Sequence, residues 1–199
     1  SNFVNGFNIS GGSYSSVNFN VSSQDTAPQS LVFNADGSKM FVVGGAGDDV
    51  NEYALSTGFN VATASYTQNF SVASQANTPR SIAFNTTGTK MFVLGLISKD
   101  VNEYALSTGF NVGTASYTQN FSISAQEPNP TGLAFNNDGT KMYVCGLGYA
   151  AIQEYALSTG FNVSTAVFTV SFSVNLTAGA PQSVKFNHDG TKMFVLDSG

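Results

Sequence analysis

A lysine and a glutamate thirteen residues apart recur three times along this chain, as Lys39 with Glu52, Lys90 with Glu103 and Lys141 with Glu154. A carboxylate beside an ammonium can move protons. A catalytic acid is needed once per site, however, so a pair repeated in every unit reads as a structural ion pair. A hairpin centred between Gly45 and Ala46 would set its two members facing each other. Such a pair contributes about 0–1 kcal/mol if it is exposed.

The other polar groups supply no reaction centre. Asp36, Asp138 and Asp189 each sit in an Asn-x-Asp-Gly stretch, and the equivalent position in the second such stretch is Thr87. A calcium loop needs several oxygen ligands, and one carboxylate per turn falls short of that. His188, the only histidine, occupies the variable position of one of these turns, and a single turn-borne His builds no Ser/His/Asp arrangement. No His and Cys cluster has zinc-ligand spacing, and no glycine-rich phosphate loop is present. Cys145 is the only cysteine and reads as a small buried hydrophobe. The expectation is therefore a protein without catalytic residues, without a metal site and without a cofactor.

Charge narrows the partners. Seven Lys and Arg against twelve Asp and Glu give a net charge of −5, and scattered basic residues make no nucleic-acid surface. No apolar run is long enough to insert in a membrane. The absence of a starting Met and of a signal peptide reads as a processed or trimmed N-terminus. Seven Asn-x-Ser/Thr triplets, at Asn8, Asn20, Asn69, Asn85, Asn120, Asn162 and Asn175, matter only in a glycosylating pathway.

The elements that position these residues follow from a repeat. Pro28, Pro79, Pro130 and Pro181 lie 51 residues apart, and the same step carries Phe33 to Phe84, Phe135 and Phe186. Within each unit the pattern has the strand period. Leu31–Phe33 and Lys39–Val43 flank the Asn-x-Asp-Gly turn as a hairpin. Val50–Leu55, closed by Ser56-Thr57-Gly58, is a third strand, and Ala62–Val72 a fourth. Four strands per unit of about 50 residues, apolar on both faces, predict an all-β fold, a β-propeller or propeller fragment of four-stranded blades. The chain divides into the trailing part of a blade (1–27), three blades (28–78, 79–129 and 130–180) and the first two strands of another (181–199). This is a fragment of a longer propeller or, alternatively, a four-blade ring with one defective blade.

The run Asn-x-Asp-Gly-Thr-Lys-Met-Phe/Tyr-Val, followed by Val-Asn-Glu-Tyr-Ala-Leu-Ser-Thr, resembles the bacterial YVTN and WD40-like propeller repeats. The resemblance covers nearly the whole chain. It lacks the Trp-Asp and Gly-His signatures of true WD40 repeats, so it implies the fold far more than an activity.

The repeats differ most in the loops between second and third strands and in the connections between units. A uniform scaffold with one divergent end reads as a binding face, with Asp48, Asp49, Lys99, Asp100 and Tyr149 as its candidate residues. The expected function is a non-catalytic binding or scaffold module of a cell, virion or other extracellular surface, its ligand a protein or a glycan. One alternative is a propeller enzyme of the lactonase-like hydrolases that this repeat type resembles, with catalytic groups outside this chain. The other is a structural subunit of a ring, virion or filament. Open blade edges at the two ends predict self-association.

Overall fold

The computed structural model describes residues 15–174 and 179–198. The Asn8 and Asn175 triplets and residues 1–14 of the leading segment lie outside them. Fourteen strands occupy the described residues. The first sheet is β1 (Pro28–Phe33), β2 (Lys39–Gly44), β3 (Asp49–Leu55) and β4 (Ala64–Ser71). The second is β5 (Pro79–Phe84), β6 (Lys90–Gly95), β7 (Asp100–Leu106) and β8 (Ala115–Ser122). The third is β9 (Pro130–Phe135), β10 (Lys141–Gly146), β11 (Ala151–Leu157) and β12 (Ala166–Ser173). Two strands, β13 (Pro181–Phe186) and β14 (Met193–Asp197), form a fourth. Each sheet is an antiparallel meander in sequence order.

The turns explain themselves locally. In the first hairpin Asn34 Oδ1 accepts from Lys39 N at 2.9 Å, and Asp36 Oδ1 accepts from Ser38 N and Oγ at 2.9 and 2.6 Å. Gly37 then reverses the chain at φ +71, a conformation that costs L-residues about 1–2 kcal/mol. The ring of Phe59 lies over the place where a Cβ would stand. Each fourth strand of the three complete sheets is entered through one 3-10 turn, Val61–Thr63, Val112–Thr114 or Val163–Thr165.

The sheets pack face to face, and the core lies between them. Phe41, Val43 and Val50 of the first sheet, with Val72 just beyond β4, meet Ile82, Met91, Val93, Tyr104 and Leu106 of the second in one cluster. The second and third sheets repeat this through Phe92, Leu94, Val101 and Ile123 against Leu133, Met142, Val144 and Tyr155. The third meets β13–β14 through Ala134, Cys145, Ile152 and Val184. Residues 15–27 pair with no sheet, but their Phe19 and Val21 pack on the outward face of the first. The ring of Phe19 meets Tyr53 edge-on at 5.4 Å. Phe70 meets Tyr104 and Phe121 meets Tyr155 in the same way, at 5.6 and 5.5 Å.

Candidate functional site

The first strands of the four sheets, with the turns that follow them, enclose a cleft of about 700 Å3. Its walls carry the repeated Phe33, Phe84, Phe135 and Phe186. Polar groups stand among them: Asn85, Asn136, Asn187, Asp138, Asp189, His188 and Lys185. They come together because each first strand ends in an Asn-x-Asp-Gly turn, or Asn-x-Thr-Gly in the second sheet, and neighbouring first strands lie side by side.

Electrostatics distinguish these groups. The Thr140 hydroxyl and amide hold Asp138 below the usual carboxylate range, and Thr191 does the same for Asp189. Both side chains are therefore anionic acceptors at neutral pH. Asn137 Nδ2 donates to the His188 carbonyl at 2.8 Å and joins the third turn to the fourth. Lys185 stands where the other first strands carry Val32, Ala83 and Ala134. Its side chain is open to solvent within the cleft, yet desolvation by the walls lowers its pKa, against the pull of Cys145. Sequence reasoning passed over Lys185. The signal was available as a charge at a repeat position that is otherwise small and apolar.

The five loop residues expected to form a binding face separate on inspection. Tyr149 is exposed on the loop between β10 and β11. Asp48 and Lys99 are half-buried at equivalent positive-φ positions, and Asp48 Oδ1 accepts from Thr78 N at 2.9 Å. Asp49 and Asp100 are buried, which corrects their placement on that face. Asp49 accepts from Asn51 and Asn69 Nδ2 at 2.7 and 2.6 Å, and Asp100 from Asn102 and Asn120 at 2.7 and 2.8 Å. These carboxylates tie their own sheets together. The loops lie at the opposite ends of the strands from the turns that rim the cleft.

The Lys–Glu pairs form at 2.7, 2.7 and 3.0 Å, but their geometry differs from the expected one. In the observed register Lys39 lies opposite Ala54, and Glu52 opposite Phe41. The pair is thus diagonal, because the loop Gly45–Asp48 moves the hairpin centre by one residue. Glu52 and Glu103 are also buried, each 2% exposed. Glu52 Oε2 accepts from Gln68 Nε2 at 2.9 Å and, across the sheet interface, from Val112 N at 3.0 Å. Lys39 Nζ donates to Phe110 O at 2.6 Å, and Gln68 Nε2 to Asn111 Oδ1 at 2.7 Å. Lys90, Glu103 and Gln119 hold Phe161, Asn162 and Val163 of the third sheet in the same way. The pair is one half of a clamp between sheets. Glu154 has no following complete sheet to hold, and its side chain is 22% exposed.

No family model matches the chain, and no curated protein sequence does. Many solved structures match it in shape. A candidate 6-phosphogluconolactonase from Bacteroides uniformis is 15% identical, with TM-score 0.61, over 84% of this chain and 46% of that one. The periplasmic gluconolactonase PpgL of Pseudomonas aeruginosa is 17% identical, with TM-score 0.57, over 85% and 47%. The β-propeller domain of Myceliophthora thermophila Cps50 (Swd1) is 7% identical, with TM-score 0.56, over 85% and 50%. The chain spans about half the length of these structures. The expectation of a non-catalytic protein does not stand, because structures named for lactonase activity are built on this frame. The YVTN label gains no family match. Four-stranded antiparallel sheets on a 51-residue repeat, stacked as in these structures, make this chain a β-propeller in fold.

Proposed function

We propose that this chain forms part of a lactonase-like propeller hydrolase with repeats of the YVTN type, acting on a small polar lactone bound in the cleft between the first strands. The observation that carries this reading is the composition of the cleft. Aromatic walls suit the face of a sugar ring, while the Asn and Asp side chains at the turns suit its hydroxyls. Lys185 offers a cation to the negative charge that develops as the ring opens. The names of the similar lactonase structures support the same substrate class.

Lactone hydrolysis adds water to the ring carbonyl and breaks the acyl C–O bond, leaving a hydroxy acid. The step needs a base for the water and a donor for the developing oxyanion. His188 is assigned the first role, since it lines the cleft and imidazole is the side chain most often used as a general base. Lys185 is assigned the second. Because the chain spans about half of the similar structures, the rest of the wall comes from outside it.

Proton release from glucono-δ-lactone and 6-phosphogluconolactone, followed in a pH-stat, tests the reading. Saturable hydrolysis above the spontaneous rate is expected. His188→Gln should lower kcat by roughly the 10²-fold or more typical of a lost general base. Lys185→Met should lower kcat for both lactones alike, by roughly the 10²-fold or more of a lost oxyanion donor. Hydrolysis at the spontaneous rate with both substrates, together with no binding of either product, refutes the assignment.

A further inference from the structure

Arg80 is the only arginine of the chain. It is the second residue of β5, where the other first strands carry Gln29, Thr131 and Gln182. These four positions lie at the loop end of the strands, opposite the turns that rim the cleft. Arg80 sits in the interior of the stack, since β5 touches β1 on one side and β9 on the other. Its neighbours on both sides are supplied by the chain itself.

The guanidinium is braced on one side and unpartnered on the other. Nη1 donates to Gln29 Oε1 at 2.7 Å, across the seam between the first two sheets. Gln29 is held in turn, because its Nε2 donates to Ala27 O at 3.4 Å. Arg80 Nε is buried and has no acceptor among the described residues. No carboxylate among them pairs with the charge either. A charged donor withdrawn from water without an acceptor is costly. The equivalent side chains carry no such cost: Thr131 Oγ1 donates to Pro181 O at 2.7 Å, and Gln182 Nε2 to Ser198 Oγ at 3.0 Å. The charge at Arg80 is an exception to the repeat and no part of its packing.

The backbone leading to Arg80 is exceptional too. Thr78 has φ +57, whereas its equivalents Ala27, Asn129 and Ala180 do not adopt positive φ. A β-branched residue seldom takes this conformation, and such outliers cluster at ligand sites. Asp48 Oδ1 holds Thr78 in place by accepting from its N–H at 2.9 Å.

We infer that Arg80 binds an oxyanion, the phosphate or carboxylate group of a small ligand, along its Nε–Nη2 edge. That edge presents two parallel N–H groups, spaced for two oxygens of one anion. Solvent reaches the half-buried side chain, and Gln29 fixes it from the other side, so little freedom is lost on binding. The site stands apart from the cleft and does not depend on lactone hydrolysis.

The test uses the one Nε–Hε resonance that a single arginine gives in an isotope-labelled sample of the 199-residue chain. Inorganic phosphate and sodium acetate are each titrated against sodium chloride at matched ionic strength. A saturable shift of that resonance is expected with phosphate, acetate or both, and which of them moves it tells a phosphate ligand from a carboxylate. Arg80→Lys keeps the charge without the fork and should bind at least about tenfold more weakly by calorimetry, with an unchanged circular dichroism spectrum. If that variant does not fold, the resonance titration decides alone. A resonance that neither anion moves, or that chloride moves as far, overturns the inference. Equal binding by the folded Arg80→Lys variant overturns it as well, since a point charge would then suffice.

Discussion

Glu103 shows how burial changes the worth of a side chain that looks like surface polarity in the sequence. It accepts from Lys90, from Gln119 and from Val163 N across the interface. Removing it leaves the Val163 amide without its acceptor and the Lys90 ammonium with the Phe161 carbonyl but without its counter-charge. Breaking a buried pair costs about 3–5 kcal/mol. Lys90 retains some solvent, so Glu103→Ala should cost about 3 kcal/mol in urea unfolding, at the lower edge of that range. Glu154→Ala, whose carboxylate is more open and clamps no further sheet, should cost about 0–1 kcal/mol. Equal losses at the two positions would refute the clamp. Cys145 carries a second residue-scale prediction. Burial pushes its thiol up to about 11, against a weak contribution from the Thr131 hydroxyl. The thiolate is the reactive form, so Cys145 should resist disulfide reagents at pH 8 and react fully once urea unfolds the protein. Prompt reaction of the native protein would place it at the surface.

At the scale of the element, the same glycine meets two surroundings. Gly88 and Gly190 both adopt positive φ, +70 and +71. The ring of Phe110 lies over Gly88, while nothing lies within 4 Å of the equivalent place at Gly190. Gly190→Ala should cost only the backbone term, about 1–2 kcal/mol. Gly88→Ala must also displace the ring and should cost at least about 1 kcal/mol more, as overpacking does. Comparable melting temperatures for the two variants would show that Phe110 moves freely. The two-stranded sheet differs from the others in a related way. Among the described residues no third strand pairs with β14 and its outward face is open, so few buried contacts support it. Amide exchange in β13–β14 at low protein concentration should therefore be faster than in β6 and β10 by an order of magnitude or more. Uniform protection across all four sheets would contradict this.

For the whole molecule, stability is close to a sum of sheet interfaces, because among the described residues the main contacts between sheets join sequence neighbours. The leading segment is part of that sum. Phe19 repeats at the first sheet the ring contact that Phe70 and Phe121 make further along. Phe172, next in that series, is 56% exposed, and among the described residues no tyrosine of a following sheet meets it. Phe19→Ala should cost about 1–2 kcal/mol, less than the ~3–5 kcal/mol of a fully buried Phe, and Phe172→Ala almost nothing in the 199-residue chain. A thermal melt of both variants at low concentration checks this contrast.

The strands, their order and the 51-residue blade were legible in the sequence, because hydrophobic alternation and turn chemistry are local and the repeat averages out their noise. Gly37, Gly88, Gly139 and Gly190 announced their turns, and Phe41 and Val43 announced a strand buried on both faces. What no local pattern carries is which sheet a side chain meets. Asp49 and Asp100 read as loop acids, yet the neighbouring strand turns Asn69 and Asn120 onto them and draws them inside. Lys39 and Glu52 read as a surface pair, yet the second sheet sets Phe110 and Val112 against them and removes the water from Glu52. Lys185 was one charge in an apolar strand until the four first strands converged around it. Local sequence determines the strand and its turns, while the stacking of sheets decides burial, and burial decides which of these polar groups hold the fold and which face a ligand.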